Sequence, residues 1–224
     1  MFDHKAKCVL VEPTPSMQQC MDDYGIEGEG EWVNNTISQE AKFWSCGMVA
    51  RESSPLKHDH DPMELARCHS LANEAAALMG EVWQMLRSGS DPDTQPFFIT
   101  AQRGAAIPSS VSESLILEAL GGTLNPEASV VIEPFTEGST WWKEVEEDAK
   151  DMAVEYPQTD WNDYVNRWRA LMVWFSDNKL SKPSFVRTTD PGKSIQTLGC
   201  VFPCFVVGIS DKGSLVGIAT HVVE

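Results

Sequence analysis

Apolar positions along this 224-residue chain fall into two regimes: helical stripes through the middle and nearly unbroken runs at the end. Asp61-Pro62-Met63-Glu64 supplies an N-cap, a proline at the first helical position and a glutamate at the third. Leu71, Ala75, Leu78, Val82 and Leu86 then recur every three to four residues, predicting one amphipathic helix to about Leu86. The run SGSDPDTQP breaks it, and residues 97–101 read as a strand followed by a loop through Gly104 and Pro108. A capping-box pattern at Ser110-Val111-Ser112-Glu113 and a stop at Gly121-Gly122 bracket a second helix over 111–120. Residues 129–133 read as a strand and 141–153 as a helix. Asp160 caps a further helix in which Trp161, Val165, Trp168, Met172 and Phe175 form one stripe. Aromatics at that spacing line a core far more often than they stack on bases.

The last segment has a different period. Val201, Pro203, Phe205, Val207 and Ile209 point one way, and Phe202, Cys204, Val206 and Gly208 point the other. Both sets are mainly apolar, so this strand is expected to be covered on both faces. Residues 210–214 supply a turn, and 215–223 return with the same two-faced character. A hairpin held between helix layers implies an α+β protein: an α/β/α sandwich with a mixed, largely antiparallel sheet ending in a C-terminal β-hairpin. Pro203 cannot donate to a ladder, which predicts a bulge or a locally unpaired stretch.

Residues 1–61 differ from the rest in holding Pro13, Pro15, the glycines of GIEGEGEW and the loop-like ESSPLKHDHDP. Short apolar runs at 8–11 and 43–49 are strands or docking segments. This part is read as an extension packing partly on a main domain of residues 62–224. An apolar fraction of 42% with eight Trp and nine Phe marks a globular chain. Its formal charge of −16 argues against a phosphate-binding face, which needs basic residues, and favours attraction to basic partners. No signal-peptide core opens the chain and no run reaches membrane-spanning length, so a cytoplasmic location is expected, with no membrane or nucleic-acid partner. The six cysteines are too sparse for a disulfide scaffold. Cys200 and Cys204, about 13 Å apart on one strand, cannot bridge and are expected to be buried thiols.

Four stretches together resemble the nuclease A inhibitor family, acidic proteins that block sugar-nonspecific DNA/RNA endonucleases. QPFFITAQRGAAIPSSVSESLILEALGG is similar to a Pro-Phe strand, a glycine-containing loop and a helix in that family. SVVIEPF resembles its second strand, and RWRALMVWFSDNKLSKPSFVR its last helix and connector. LGCVFPCFVVGISDKGSLVGIATHVVE is the closest likeness, through Leu198-Gly199, Val201, Val207-Gly208, Gly213, Leu215, Gly217-Ile218, Thr220 and Val222-Val223-Glu224. The likeness spans about residues 65–224. It implies the same sandwich and a chain end that enters the nuclease's active site, where a carboxylate approaches the catalytic Mg²⁺. The family takes that carboxylate from a residue just after Val-Val-Glu, so here Glu224 would supply it. The resemblance also implies an acid before the Pro-Phe strand. Pro92 stands there, flanked by Asp91 and Asp93, which take the shifted role. An interface tryptophan corresponds to Trp141 or Trp142. The implied partner is therefore a nonspecific endonuclease, with no cofactor of the protein's own and no catalysis.

Two other readings stand beside this one. A non-catalytic interaction module of the same fold would use the extension to contact a different partner. A metal-dependent hydrolase would rest on His58 and His60, two apart in a Pro-flanked loop, with no second ligand cluster in the sequence to complete a site. The alternative for that loop is a solvated segment ending in the Asp61 cap. No Gly-x-Ser-x-Gly, phosphate-binding loop or His-Glu-x-x-His is present. Cys68-His69 are only sequence neighbours, and His221 is expected to be a packed or rim histidine.

Overall fold

A computed structural model of the protein describes residues 8–22, 36–51, 59–80, 93–189 and 201–223. In chain order its elements are β1 (Leu10–Val11), α1 (Pro15–Met21), β2 (Ala41–Trp44), β3 (Val49–Arg51), α2 (Pro62–Met79), β4 (Gln95–Ile99) and α3 (Glu113–Ala119). There follow β5 (Ser129–Pro134), α4 (Thr140–Glu155), α5 (Trp161–Asp177), β6 (Ser181–Thr189), β7 (Val201–Ile209) and β8 (Leu215–Val223).

The closing hairpin lies inside a five-stranded sheet of order β4-β8-β7-β6-β5, and all of β7 is buried. Every described pairing is antiparallel, so the expected mixed sheet is corrected to an antiparallel one. The helix count explains β5 and β6. Two helices lie between them, and the second brings the chain back to the end it left, where β6 runs back along β5 with Pro134 opposite Ser184. A single crossover helix would have made the pair parallel.

Side-chain alternation sorts the hairpin onto two cores. Phe202, Cys204, Val206, Val216, Ile218 and Val222 meet α2, α4 and α5. Phe205, Val207, Ile209, Leu215 and Ala219 meet α1, α3 and the second sheet, of order β1-β2-β3. The sandwich predicted from two-faced burial is therefore observed. On the first face Gly208 lets α5 approach, because a Cβ there would lie 3.0 Å from the Phe175 ring and 2.9 Å from Leu180. Segments before residue 62 are part of the second layer: Met17, Cys20, Ile37, Ala41 and Val49 are all buried in its core.

Local signals set most boundaries. Asp61 caps α2 by accepting from Met63 N at 3.0 Å, and Asp160 caps α5 by accepting from Asn162 N at 3.1 Å. Ser112, rather than Ser110, caps α3, accepting from Leu115 N at 3.3 Å. Helix α2 ends earlier than its apolar stripe predicts, because Gly80 takes φ 61° as its C-cap; Val82 and Leu86 lie outside the described residues. Pro203 needs no bulge. The β6–β7 ladder stops at the Arg187–Cys204 pair, and the Thr188 hydroxyl donates to Pro203 O at 2.9 Å just beyond it. The register shift falls instead between Ser181 and Ser184, beside Lys182 at φ 52°.

Candidate functional site

The antiparallel register of β4 on β8 sets what gathers at one end of the sheet. Gln95 pairs with Ala219, so Thr94 and Asp93 run out beside Thr220 and His221, three residues before Glu224. Asp93 is exposed, whereas Thr220 and His221 are 4% and 9% exposed. The start of α1 closes over this end. Ser16 N donates to Gln95 Oε1 at 3.2 Å, and the Ser16 hydroxyl donates to Asp93 O at 3.3 Å. Asp93 is thereby held at the backbone while its carboxylate faces outward.

Burial disfavours the charged imidazole of His221 and lowers its pKa from the ordinary value, while the nearby Asp93 charge pulls it the other way. His221 Nδ1, Thr94 Oγ1 and Thr220 Oγ1 are buried and have no hydrogen-bond partner among the described residues. Unsatisfied polar atoms are uncommon in a folded interior; alternation along β8 puts Thr220 and His221 on opposite faces, with Thr94 running out beside Thr220 and the exposed Asp93 beside His221. The arrangement offers acceptors and a neutral imidazole but no nucleophile set against a base. It suits recognition of a polar, electropositive surface.

Only some of the residues expected to contact a partner gather here. Asp93 does. Asp91 and Glu224 lie outside the described residues, although β8 carries the chain to Val223 at this same end. The structure places Trp141 and Trp142 in the core, 1% and 2% exposed. The Trp141 ring stacks on Phe135 and Phe185 with centroids 4.7 and 5.3 Å away, and its indole N–H donates to Pro134 O at 3.1 Å. Trp142 packs edge-on against Trp141 and lies beneath the Arg169 guanidinium, 5.3 Å from its ring centroid. The helix that carries them lies against the sheet, and both rings face the core. Phe135 lies only six residues before Trp141, but Phe185 comes from the distant β6, and local spacing carried no sign of it.

The loop bearing the histidine pair is corrected as well. His58 lies outside the described residues, and His60 is not solvated but fully buried. His60 Nδ1 lies 3.3 Å from Ala101 O, and Nε2 lies 3.0 Å from Met48 Sδ. Beside it Cys8 and Cys46 form a disulfide with Cα atoms 5.5 Å apart, a pairing the sequence reading did not assign. The spacing of 38 residues gave no hint of the pairing. Cys20, Cys68 and Cys204 are buried thiols, as expected for Cys204, and Cys200 lies outside the described residues.

A second surface lies between β1, β2 and β4, where Met17, Phe43, Trp44, Phe97 and Phe98 line a groove of about 270 Å³. Val9, Leu10 and Val11 stand exposed at its rim, 60%, 64% and 43% accessible. No helix among the described residues is long and apolar enough to cross a membrane. No protein-family model matches the chain, and no curated protein matches it in sequence.

Proposed function

We propose that this protein is an inhibitor-like binding module that presents carboxylates from one end of its central sheet to the basic active-site cleft of a sugar-nonspecific endonuclease. The observation that supports this reading is the β4–β8 register, which puts Asp93 at the same end as Val222 and Val223, the residues that precede Glu224 in sequence. Asp93 thus stands just ahead of the strand that pairs with β8, and Glu224 follows the last residue of β8 in sequence. Carboxylates placed where a nuclease expects phosphates compete for its Arg and Lys side chains, and a Glu224 oxygen is a donor that a hard Mg²⁺ accepts. The charge of −16 speeds the encounter with a basic cleft at low ionic strength.

The test is a titration of the purified protein into a Mg²⁺-dependent nonspecific nuclease while DNA cleavage is followed. Stoichiometric loss of cleavage is expected. Asp93→Asn and Glu224→Gln should each weaken inhibition, Asp93→Asn mainly by slowing association. Undiminished cleavage at micromolar excess of protein rejects the reading.

The exposed Val9, Leu10 and Val11 favour a second reading, an interaction module of the same fold that docks a partner at the β1 edge. Substituting Leu10→Lys separates the two, because it should abolish β1-edge docking and leave nuclease inhibition intact.

A further inference from the structure

The small core beneath β2 and β3 gathers donors that packing alone does not require. The ligand atoms of Cys8, Cys46 and His60 all lie within 4.8 Å of one another, and Met48 Sδ lies 3.0 Å from His60 Nε2. We propose that, once Cys8 and Cys46 are reduced, these four side chains form a closed site for a thiophilic d¹⁰ metal ion, with the Met48 thioether favouring copper(I) over zinc.

Three features support this site. The first is the imidazole. His60 is fully buried, with Nδ1 3.3 Å from Ala101 O and Nε2 3.0 Å from Met48 Sδ. With Nε2 as the ligand atom, Nδ1–H donates to the Ala101 carbonyl, the kind of outer partner that orients a ligating histidine.

The second is the support given to the ligands. Cys46 and Met48 flank Gly47, whose φ of 79° and close approach to Phe98 O admit no side chain. Cys8 is held by the pair Val9 N to Ser45 Oγ at 3.1 Å and Ser45 N to Val9 O at 2.8 Å. His60 bridges to Gln102 just before the Asp61 cap of α2. Three separate segments thus bring the Cys8, Cys46 and His60 ligand atoms together, with Met48 Sδ against the imidazole. Trp44, Ala50 and Leu65 pack around them. Thiolates at about 2.3 Å and an imidazole at about 2.0 Å from a metal need donor separations of about 3.5–3.8 Å, inside the 4.8 Å within which the Cys8, Cys46 and His60 ligand atoms lie. Met48 Sδ then draws back slightly from its 3.0 Å approach to His60 Nε2.

The third is the donor chemistry. Two thiolates, a thioether and an imidazole form a soft set, and a thioether is a ligand that copper(I) takes more readily than zinc. Full burial of Cys46 and His60 leaves no coordination position for substrate, so the site is structural or a metal store rather than hydrolytic. Disulfide and metal are mutually exclusive states of the same pair. An external dithiol passes two electrons and two protons to the Cys8–Cys46 bond and closes to its own disulfide. The incoming ion then displaces the two thiol protons.

To test this, the full-length protein is reduced with excess dithiothreitol, desalted under nitrogen, and offered copper(I) buffered with bicinchoninate or zinc buffered with a chromophoric chelator. One copper(I) per chain is expected, with alkylation of Cys8 and Cys46 slowed about tenfold or more in the loaded protein, read by mass spectrometry. His60→Gln and Met48→Leu should each weaken copper(I) binding about tenfold, and Met48→Leu should affect zinc less. Copper binding that persists in Cys8→Ser/Cys46→Ser overturns the proposal. So does unprotected alkylation of both cysteines, or retention of zinc alone with no response to His60→Gln and Met48→Leu. Should the double variant not fold, the alkylation pattern of the unmodified sequence decides.

Discussion

The Ser214 hydroxyl donates a 2.7 Å hydrogen bond to the Glu64 carboxylate, joining the turn of the closing hairpin to the first turn of α2 across 150 residues of chain. Ser210 donates to the same oxygen at 2.6 Å, and Ser214 Oγ also receives Ala101 N at 3.0 Å. Glu64 is 5% exposed, and Arg67, which also pairs with Asp211, lies 3.6 Å from its second oxygen. A buried carboxylate thus aligns the hairpin turn with the helix packed on it.

Glu64→Ala is therefore expected to destabilise the protein by roughly 2–3 kcal/mol, since two buried hydroxyls lose their acceptor. Glu64→Gln keeps one acceptor oxygen and should cost about 1 kcal/mol. Chemical denaturation monitored by tryptophan fluorescence measures both. A loss within about 0.5 kcal/mol for the alanine variant, typical of a surface site, would refute the role given to this network.

The buried tryptophans allow stability and binding to be separated. Trp141→Ala removes an indole that is 1% exposed and should cost about 3–5 kcal/mol. Trp142→Phe should lower the melting temperature while leaving nuclease inhibition by the folded protein unchanged. Lost inhibition at undiminished stability would show that the ring is reached by a partner.

His221 gives stability a pH dependence of defined sign. Its folded-state pKa lies below the ordinary value of 6.5, so the unfolded chain takes up the proton first. Stability from this group is complete at pH 7 and above, and it declines as pH falls below about 6.5. Replacing His221 with Gln should flatten that part of the profile. Because the Asp93 charge opposes the shift, Asp93→Asn should lower the His221 pKa further, which an NMR titration of the imidazole would read directly.

Thiol chemistry should divide the cysteines by burial. Desolvation, with Glu64 adding to it, pushes the Cys68 thiol up to about 12, and burial raises Cys20 well above its usual value. Neither forms appreciable thiolate at pH 8, so iodoacetamide should leave both intact in the native protein and modify them in denaturant. Rapid native labelling of Cys68 would contradict its placement between α2 and the hairpin.

Near neighbours in sequence were enough to place the closing hairpin, the Asp61 and Asp160 caps, and the two-faced burial of β7 and β8. Capping and side-chain alternation act over two to four residues, so the information is local. The same locality places Asp93 just ahead of a strand. It does not show that the strand lies beside β8, and without that pairing the candidate site has no second half.

The rest depended on contacts between distant segments. SKPSFVR, expected as part of a connector after the last helix, lies in β6 because β7 and β5 offer ladder partners on both sides. Trp141 and Trp142 look like candidate anchors until Phe135, Phe185 and Trp168 close around them. Cys8, Cys46, Met48 and His60 carry no shared spacing and meet only when the second sheet folds against β4 and α2. Periodicity tells a residue which way to face along its own element. What it then meets is decided by which elements pack together, and that is set by the burial of whole faces.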